Sequence, residues 1–191
     1  MKIYLLRHAK TKANEEKRYT GKNEIDISEK GISEILEVKK YTNYPENIDL
    51  YASSLNRTKQ TLEVIYGKNV NIKELLPFLD EINFGDFEGL TYQDLKHNKN
   101  YLSWINDHFN ITPINGENYQ DFKKRVITNF LDYVKTLKSD SLFMTHGGVI
   151  RVIMSTLIDE SRNFFEWEIP NGLGYVLEYE GGKFIGYEIF Q

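Results

Sequence analysis

The sequence predicts an α/β protein, a three-layer αβα sandwich built on a mostly parallel sheet. Short β-branched and aromatic runs alternate with stretches whose apolar residues recur at helical spacing, and parallel strands need crossovers that cover both sheet faces. The 191 residues, 40% hydrophobic and 14% aromatic, supply a core for one domain. No repeat and no linker rich in Gly, Pro or Ser divides the chain, so residues 1–191 are expected to form one unit.

Residues 2–6 read as a buried strand that delivers its C-terminal end to a polar, charged loop running to Ile27. Ser28 can cap a helix reaching about Tyr41, with Ile32, Ile35, Leu36 and Val38 on its apolar positions. Residues 48–52 form the second strand; Ser53 or Ser54 then caps a helix carrying Leu55, Thr58, Leu62 and Ile65 on one face. A third strand is expected over 70–75, followed by an irregular stretch with Pro77, Gly85 and Gly89. Residues 92–108 look helical in pieces. Phe122, Val126, Phe130, Val134 and Leu137 mark the longest amphipathic helix, over 117–137. Residues 141–145 are a strand, and His146, Gly147 and Gly148 lead into a nearly all-apolar helix. A hairpin over 175–179 and 183–189 turns at Glu180, Gly181 and Gly182.

Composition narrows the chemistry. The chain has no cysteine, which removes disulfides, iron–sulfur ligation, cysteine zinc sites and thiolate nucleophiles. A net charge of −4 argues against nucleic acid as a partner. Arg7 interrupts the first apolar run well before the roughly 7 residues a signal peptide needs. Arg151 and Ser155 break the longest later run, far short of the ~20 residues of a membrane span. A cytoplasmic protein with no membrane partner is expected, its oligomeric state left open.

Ligands of open α/β sheets bind beyond the carboxyl ends of the strands. That rule gathers Arg7 and His8 after the first strand, Arg57 after the second, and His146 after the strand at 141–145. Arginine forks and helix amides beside two imidazoles suit a phosphate dianion. Without a thiol or a Walker loop, the available nucleophile for phosphoryl transfer is a neutral imidazole of His8 or His146. The leaving oxygen needs an acid, which Glu81 or Glu88 can supply, with Asp80 and Asp86 close by. Gly147 and Gly148 can also be read as permitting a tight turn, His97 and His108 as surface residues, and Arg125 and Arg151 as structural ion-pair partners.

The string LLRHAKT with Asn14 resembles the signature of the histidine phosphatase superfamily, the phosphoglycerate mutase-like proteins. Ser53, Ser54, Leu55, Arg57 and Thr61 extend the resemblance, as do Glu81 with FGDFEG (84–89), GEN (116–118) with Phe122 and Arg125, and MTHGGVIR (144–151). It implies a phosphohistidine on His8, with Arg7, Arg57, His146 and Gly147 around the phosphoryl group and Asn14 assisting. Glu81 is the implied proton donor, and neither metal nor cofactor is implied. Ala9 stands where the family usually has glycine; at positive φ or against the phosphate its Cβ would cost about 1 kcal/mol.

Within that family, cofactor-dependent phosphoglycerate mutases are longer and carry an Arg-Arg pair after the acid motif, which residues 90–116 lack. This segment offers Tyr92, Tyr101, Trp104 and Phe109 instead, a candidate cover with an aromatic lining. A phosphomonoesterase acting on a small phosphorylated metabolite is therefore expected, ahead of a mutase or a catalytically idle phosphate-binding module. FGDFEG is similar to the matching segment of α-ribazole-5'-phosphate phosphatases, which work in cobalamin biosynthesis, and aromatic walls suit their benzimidazole nucleoside. Sugar phosphates and nucleotides are the alternatives.

Overall fold

A computed structural model describes residues 1–191. In chain order it contains β1 (Lys2–Arg7), α1 (Lys12–Glu15), α2 (Glu29–Val38), β2 (Asp49–Ala52), α3 (Asn56–Tyr66), β3 (Glu74–Leu75), α4 (Tyr92–Leu95), α5 (Lys99–Asn106), α6 (Tyr119–Val134), β4 (Ser141–Thr145), α7 (Gly147–Ile153), β5 (Gly174–Glu180) and β6 (Lys183–Phe190). One six-stranded sheet has the order β3-β2-β4-β1-β5-β6. The β3, β2, β4 and β1 strands run parallel, β5 is antiparallel to β1, and β6 is antiparallel to β5, so β5 alone runs against the other strands.

Successive strand residues face opposite sides, and the sequence fills both. Ile3, Leu5 and Phe143 pack with Phe122, Val126, Phe130 and Ile150 on the α6/α7 face, where truncating a buried phenylalanine to alanine costs about 3–5 kcal/mol. Leu6, Leu142 and Met144 pack with Ile35 and Leu62 on the α2/α3 face. A third small core of Phe87, Leu95 and Tyr101 lies under α4 and α5.

Several local expectations differ from the structure. The stretch expected as a third strand pairs with β2 only at Glu74 and Leu75, because Val70 and Ile72 instead turn down onto the α2/α3 core. The loop after β1 contains α1, fixed by a reciprocal capping box between Thr11 and Asn14. Neither Ser53 nor Ser54 is the N-cap of α3; that position is Leu55, with no side-chain bond. The serines are engaged elsewhere, Ser53 with His146 and Ser54 with Asp80. No helix is long and apolar enough to cross a membrane.

Candidate active site

Strand order explains why distant residues meet. The β4 strand lies between β2 and β1, with Ala52 opposite Met144 and Arg7 opposite Thr145. His146 therefore emerges between His8 and the first turn of α3, which carries Arg57. The imidazole centroids of His8 and His146 are 5.0 Å apart.

Backbone contacts define the state of each ring. His8 Nδ1 lies 2.6 Å from the Ala9 carbonyl oxygen, which can only accept, so the proton resides on Nδ1 and Nε2 keeps its lone pair. Asn171 Nδ2 donates to the His8 carbonyl at 2.6 Å and so helps to fix the strand end. Arg57 Nε donates to His146 Nδ1 at 3.3 Å, which leaves His146 Nε2–H to donate to Ser53 Oγ at 2.8 Å. Both nitrogens of His146 are thus engaged within the protein.

Burial is the main force on both rings, and the positive charges nearby add to it. The pKa values of His8 and His146 are held well below the usual histidine value. Burial also lowers Arg7 and Arg57, although guanidinium stays charged in proteins. Arg57 donates through Nη2 to the Gly21 carbonyl at 2.6 Å and through Nη1 to that of Asn23 at 3.0 Å. With Nε on His146, three of its N–H groups are used, so each terminal nitrogen retains one without a partner within the protein. Arg7 Nη1 donates to the Ile169 carbonyl at 2.9 Å, while its Nε is buried without a partner.

Glu81 differs from its acidic neighbours. Its carboxyl oxygens accept from Gly148 N at 2.9 Å and Ile82 N at 3.0 Å, and it is the carboxyl that lies near Arg7 as well as Arg57. Asp80 is taken by the Ser54 backbone and hydroxyl, Asp86 by Asn115, and Glu88 by the amides of Lys22, Asn23 and Phe84. Arg125 fixes the loop before Glu81 by donating to the carbonyls of Pro77, Phe78 and Asp80 while pairing bidentately with Glu117. Glu117 in turn accepts from Asn83 N, so the loop is held on both sides of Glu81. Thr145 Oγ1, donating to the Leu79 carbonyl at 2.8 Å, ties it to the end of β4.

Asn14 lends its side-chain oxygen to Thr11 N, and its amide nitrogen makes no bond within the protein. Gly147 opens α7 beside Arg7, whose Nε would lie 3.6 Å from a Cβ there. Ala9 does not have positive φ, and its methyl packs into the α2/α3 core, so the backbone strain that a positive φ would bring is absent. Its N–H donates to Thr61 Oγ1 at 2.9 Å. Arg125 is an ion-pair partner as expected, but Arg151 is not: it has no carboxylate partner and donates to the Trp167 carbonyl.

A cleft of about 350 Å³ opens beside Glu81, Gly148 and Arg151. Its aromatic walls come from Tyr19, Phe84, Trp104, Tyr119, Phe164 and Phe165, among others. Of the four aromatics expected from the cover segment, only Trp104 lines it. Tyr101 is fully buried in the third core, Tyr92 is half exposed, and Phe109 packs edge-on against Tyr119. His108 is also a wall of this cleft rather than a surface residue. A larger hollow of about 790 Å³ lies at the opposite end of β2, around Asp49 and Lys73, and holds none of the candidate site residues.

Ser53, Asn171, Arg125 and the carbonyls of Gly21 and Asn23 were not singled out in these roles by motif reading. Backbone carbonyls carry no side-chain signal, and only the family-like spacing of Ser53 and Arg125 pointed toward the site.

A family model for the histidine phosphatase superfamily (branch 1) matches residues 3–188. The chain is 30% identical over 163 residues to an adenosylcobalamin/alpha-ribazole phosphatase of Salmonella typhimurium, covering 83% of this chain and 80% of that one. It is 25% identical over 220 residues to a 2,3-bisphosphoglycerate-dependent phosphoglycerate mutase of Wigglesworthia glossinidia brevipalpis, covering 94% and 93%. The crystal structure of the alpha-ribazole phosphatase from Shigella flexneri shares the fold, with a TM-score of 0.88 at 23% identity over 100% of this chain and 96% of that one.

Proposed function

The chain belongs to the histidine phosphatase superfamily, and from that premise we propose that it hydrolyses α-ribazole 5'-phosphate or a closely similar monoester through a phosphohistidine on His8. The observation that carries this reading is the His8 tautomer: Nδ1 is tied to a carbonyl, and Nε2 keeps its lone pair on a ring that feels the charges of Arg57 and Arg7.

In the first step His8 Nε2 forms a bond to phosphorus as the ester P–O bond breaks, and Glu81 gives its proton to the leaving alkoxide. Arg7 Nε and the unused N–H groups of Arg57 bind the phosphoryl oxygens as charge develops. His146, held by Arg57 and Ser53, keeps that guanidinium in place, and the Asn14 amide and Gly147 N–H add neutral donors. In the second step Glu81, now a carboxylate, takes a proton from water, whose oxygen bonds to phosphorus while the P–N bond breaks. Inorganic phosphate leaves, and both His8 and Glu81 return to their starting protonation.

The aromatic cleft beside Glu81 supports a leaving alcohol with a flat apolar part, and the cover segment 90–116 forms one side of it. A kcat/KM comparison of α-ribazole 5'-phosphate, a purine nucleotide, a sugar phosphate and 3-phosphoglycerate tests the reading. The aromatic ribotide is expected to lead by about 10-fold or more. Preference for 3-phosphoglycerate, with 2-phosphoglycerate formed when 2,3-bisphosphoglycerate is present, would overturn it in favour of a mutase.

A further inference from the structure

His108 has no assigned role, yet its position is unusual. Its Nε2 is buried without a hydrogen-bond partner, and the ring lines the same cleft as Glu81. The ring packs against other aromatics, with centroids 4.1 Å from Phe109, 4.9 Å from Phe165 and 6.3 Å from Trp104. Buried polar atoms normally find partners, so an orphan nitrogen on a ring that lines a cleft is a place where a bound molecule can supply one.

Ring contacts along one wall of the cleft run from Arg151 to this residue. The Arg151 guanidinium lies 6.0 Å from the Phe164 ring, Phe164 touches Phe165 at 5.0 Å, and Phe165 meets His108. The Tyr19 hydroxyl, another polar group of the wall, is already shared with Tyr101 at 2.7 Å. The cleft therefore combines an apolar aromatic surface with an imidazole, supplied by the segment after α5, whose Nε2 has no partner within the protein.

We propose that His108 is a specificity-determining residue, whose Nε2 hydrogen-bonds a polar atom on the aromatic part of the leaving alcohol. The inference rests on the phosphomonoesterase reading and adds the chemical class of the leaving group: an aromatic ring bearing a hydroxyl or a ring nitrogen. An imidazole nitrogen either donates or accepts according to its tautomer, and a hydroxyl satisfies both cases.

The test uses 2-phenylethyl phosphate and its 3-hydroxyphenyl and 4-hydroxyphenyl analogues, three esters with the same alkoxide leaving atom. The unmodified protein should prefer at least one hydroxylated ester by about 10-fold in kcat/KM. His108→Phe keeps the ring packing and should reduce that preference to within about 2-fold, while the plain ester changes little. His108→Leu serves if the phenylalanine variant fails to fold, with p-nitrophenyl phosphate turnover as the check of an intact site. No hydroxyl preference in the unmodified protein, or an undiminished one in the variant, overturns the inference. Turnover of p-nitrophenyl phosphate without any phenylethyl ester overturns it too and leaves the phosphatase reading standing. Hydrolysis of none of the four esters defeats the phosphatase reading itself.

Discussion

The Gly148 N–H donates to Glu81 Oε2 at 2.9 Å, and a Cβ at Gly148 would overlap the other carboxyl oxygen of the same residue. This glycine therefore does more than open a tight turn into α7, because only its bare α-carbon lets the carboxyl lie against the helix start. A methyl there would push aside the far end of a side chain, leaving the backbone in place. Gly148→Ala should keep its melting temperature within a few degrees while lowering kcat/KM for an alkyl phosphate by about 10-fold or more. Unchanged turnover in a folded Gly148→Ala protein would show that the position of Glu81 does not matter.

The role of Glu81 can be read from the leaving group. An alkoxide needs a proton far more than a nitrophenolate, so Glu81→Gln should cost an alkyl phosphate about 10²–10⁴-fold and p-nitrophenyl phosphate much less. Glu88→Gln should show no such contrast, since its carboxyl is held by the amides of Lys22, Asn23 and Phe84 and does not line the cleft that Glu81 lines. Equal losses for both esters would remove Glu81 as the acid.

Arg125 acts at one remove, by holding the loop that carries Glu81. Lysine cannot reproduce both the bidentate pair with Glu117 and the bonds to three carbonyls. Arg125→Lys is expected to lower kcat for alkyl phosphates by about 5-fold or more with KM little changed. A pure loss of thermal stability, with kcat intact, would assign Arg125 to folding alone.

Burial, reinforced by Arg57 and Arg7, depresses the pKa of His8, and burial with Arg57, His8 and Arg7 does the same for His146. Between their folded values and the ordinary value of 6.5, the unfolded chain binds more protons than the folded one. Stability should therefore fall as pH drops through that window and level off below the folded values. His8 remains neutral in the same window, so the acid limb of kcat/KM attributable to it should lie below 6.5. Urea unfolding at stepped pH checks the first statement, and a His146→Gln protein should show a shallower decline. A decline as steep as that of the parent would mean that His146 is not one of the groups responsible.

Much of this arrangement was legible because strands advertise their ends. Arg7 and His8 follow an apolar run, and His146 follows another, so the strand-end rule alone brought them to one rim. The order β2-β4-β1, which sets His146 between the other two elements, was not written in any local pattern. Val70 and Ile72 misled for a related reason: alternation reports burial of a face, and a loop side chain lying on the α2/α3 core satisfies it without a partner strand. The α1 helix, at four residues, is too short to show a period. The cleft drew its aromatics from five separate stretches, including Tyr19 and Phe164, which no window along the chain could unite.

The central claim is a covalent phosphohistidine on His8, and stereochemistry at phosphorus tests it most directly. Two successive in-line displacements, first by His8 Nε2 and then by water, each invert the phosphorus centre and together restore its configuration. Hydrolysis in isotopically labelled water of an ester made chiral by oxygen isotopes and sulfur should give thiophosphate with net retention. Net inversion would mean that water attacks the ester directly and that His8 is not the nucleophile.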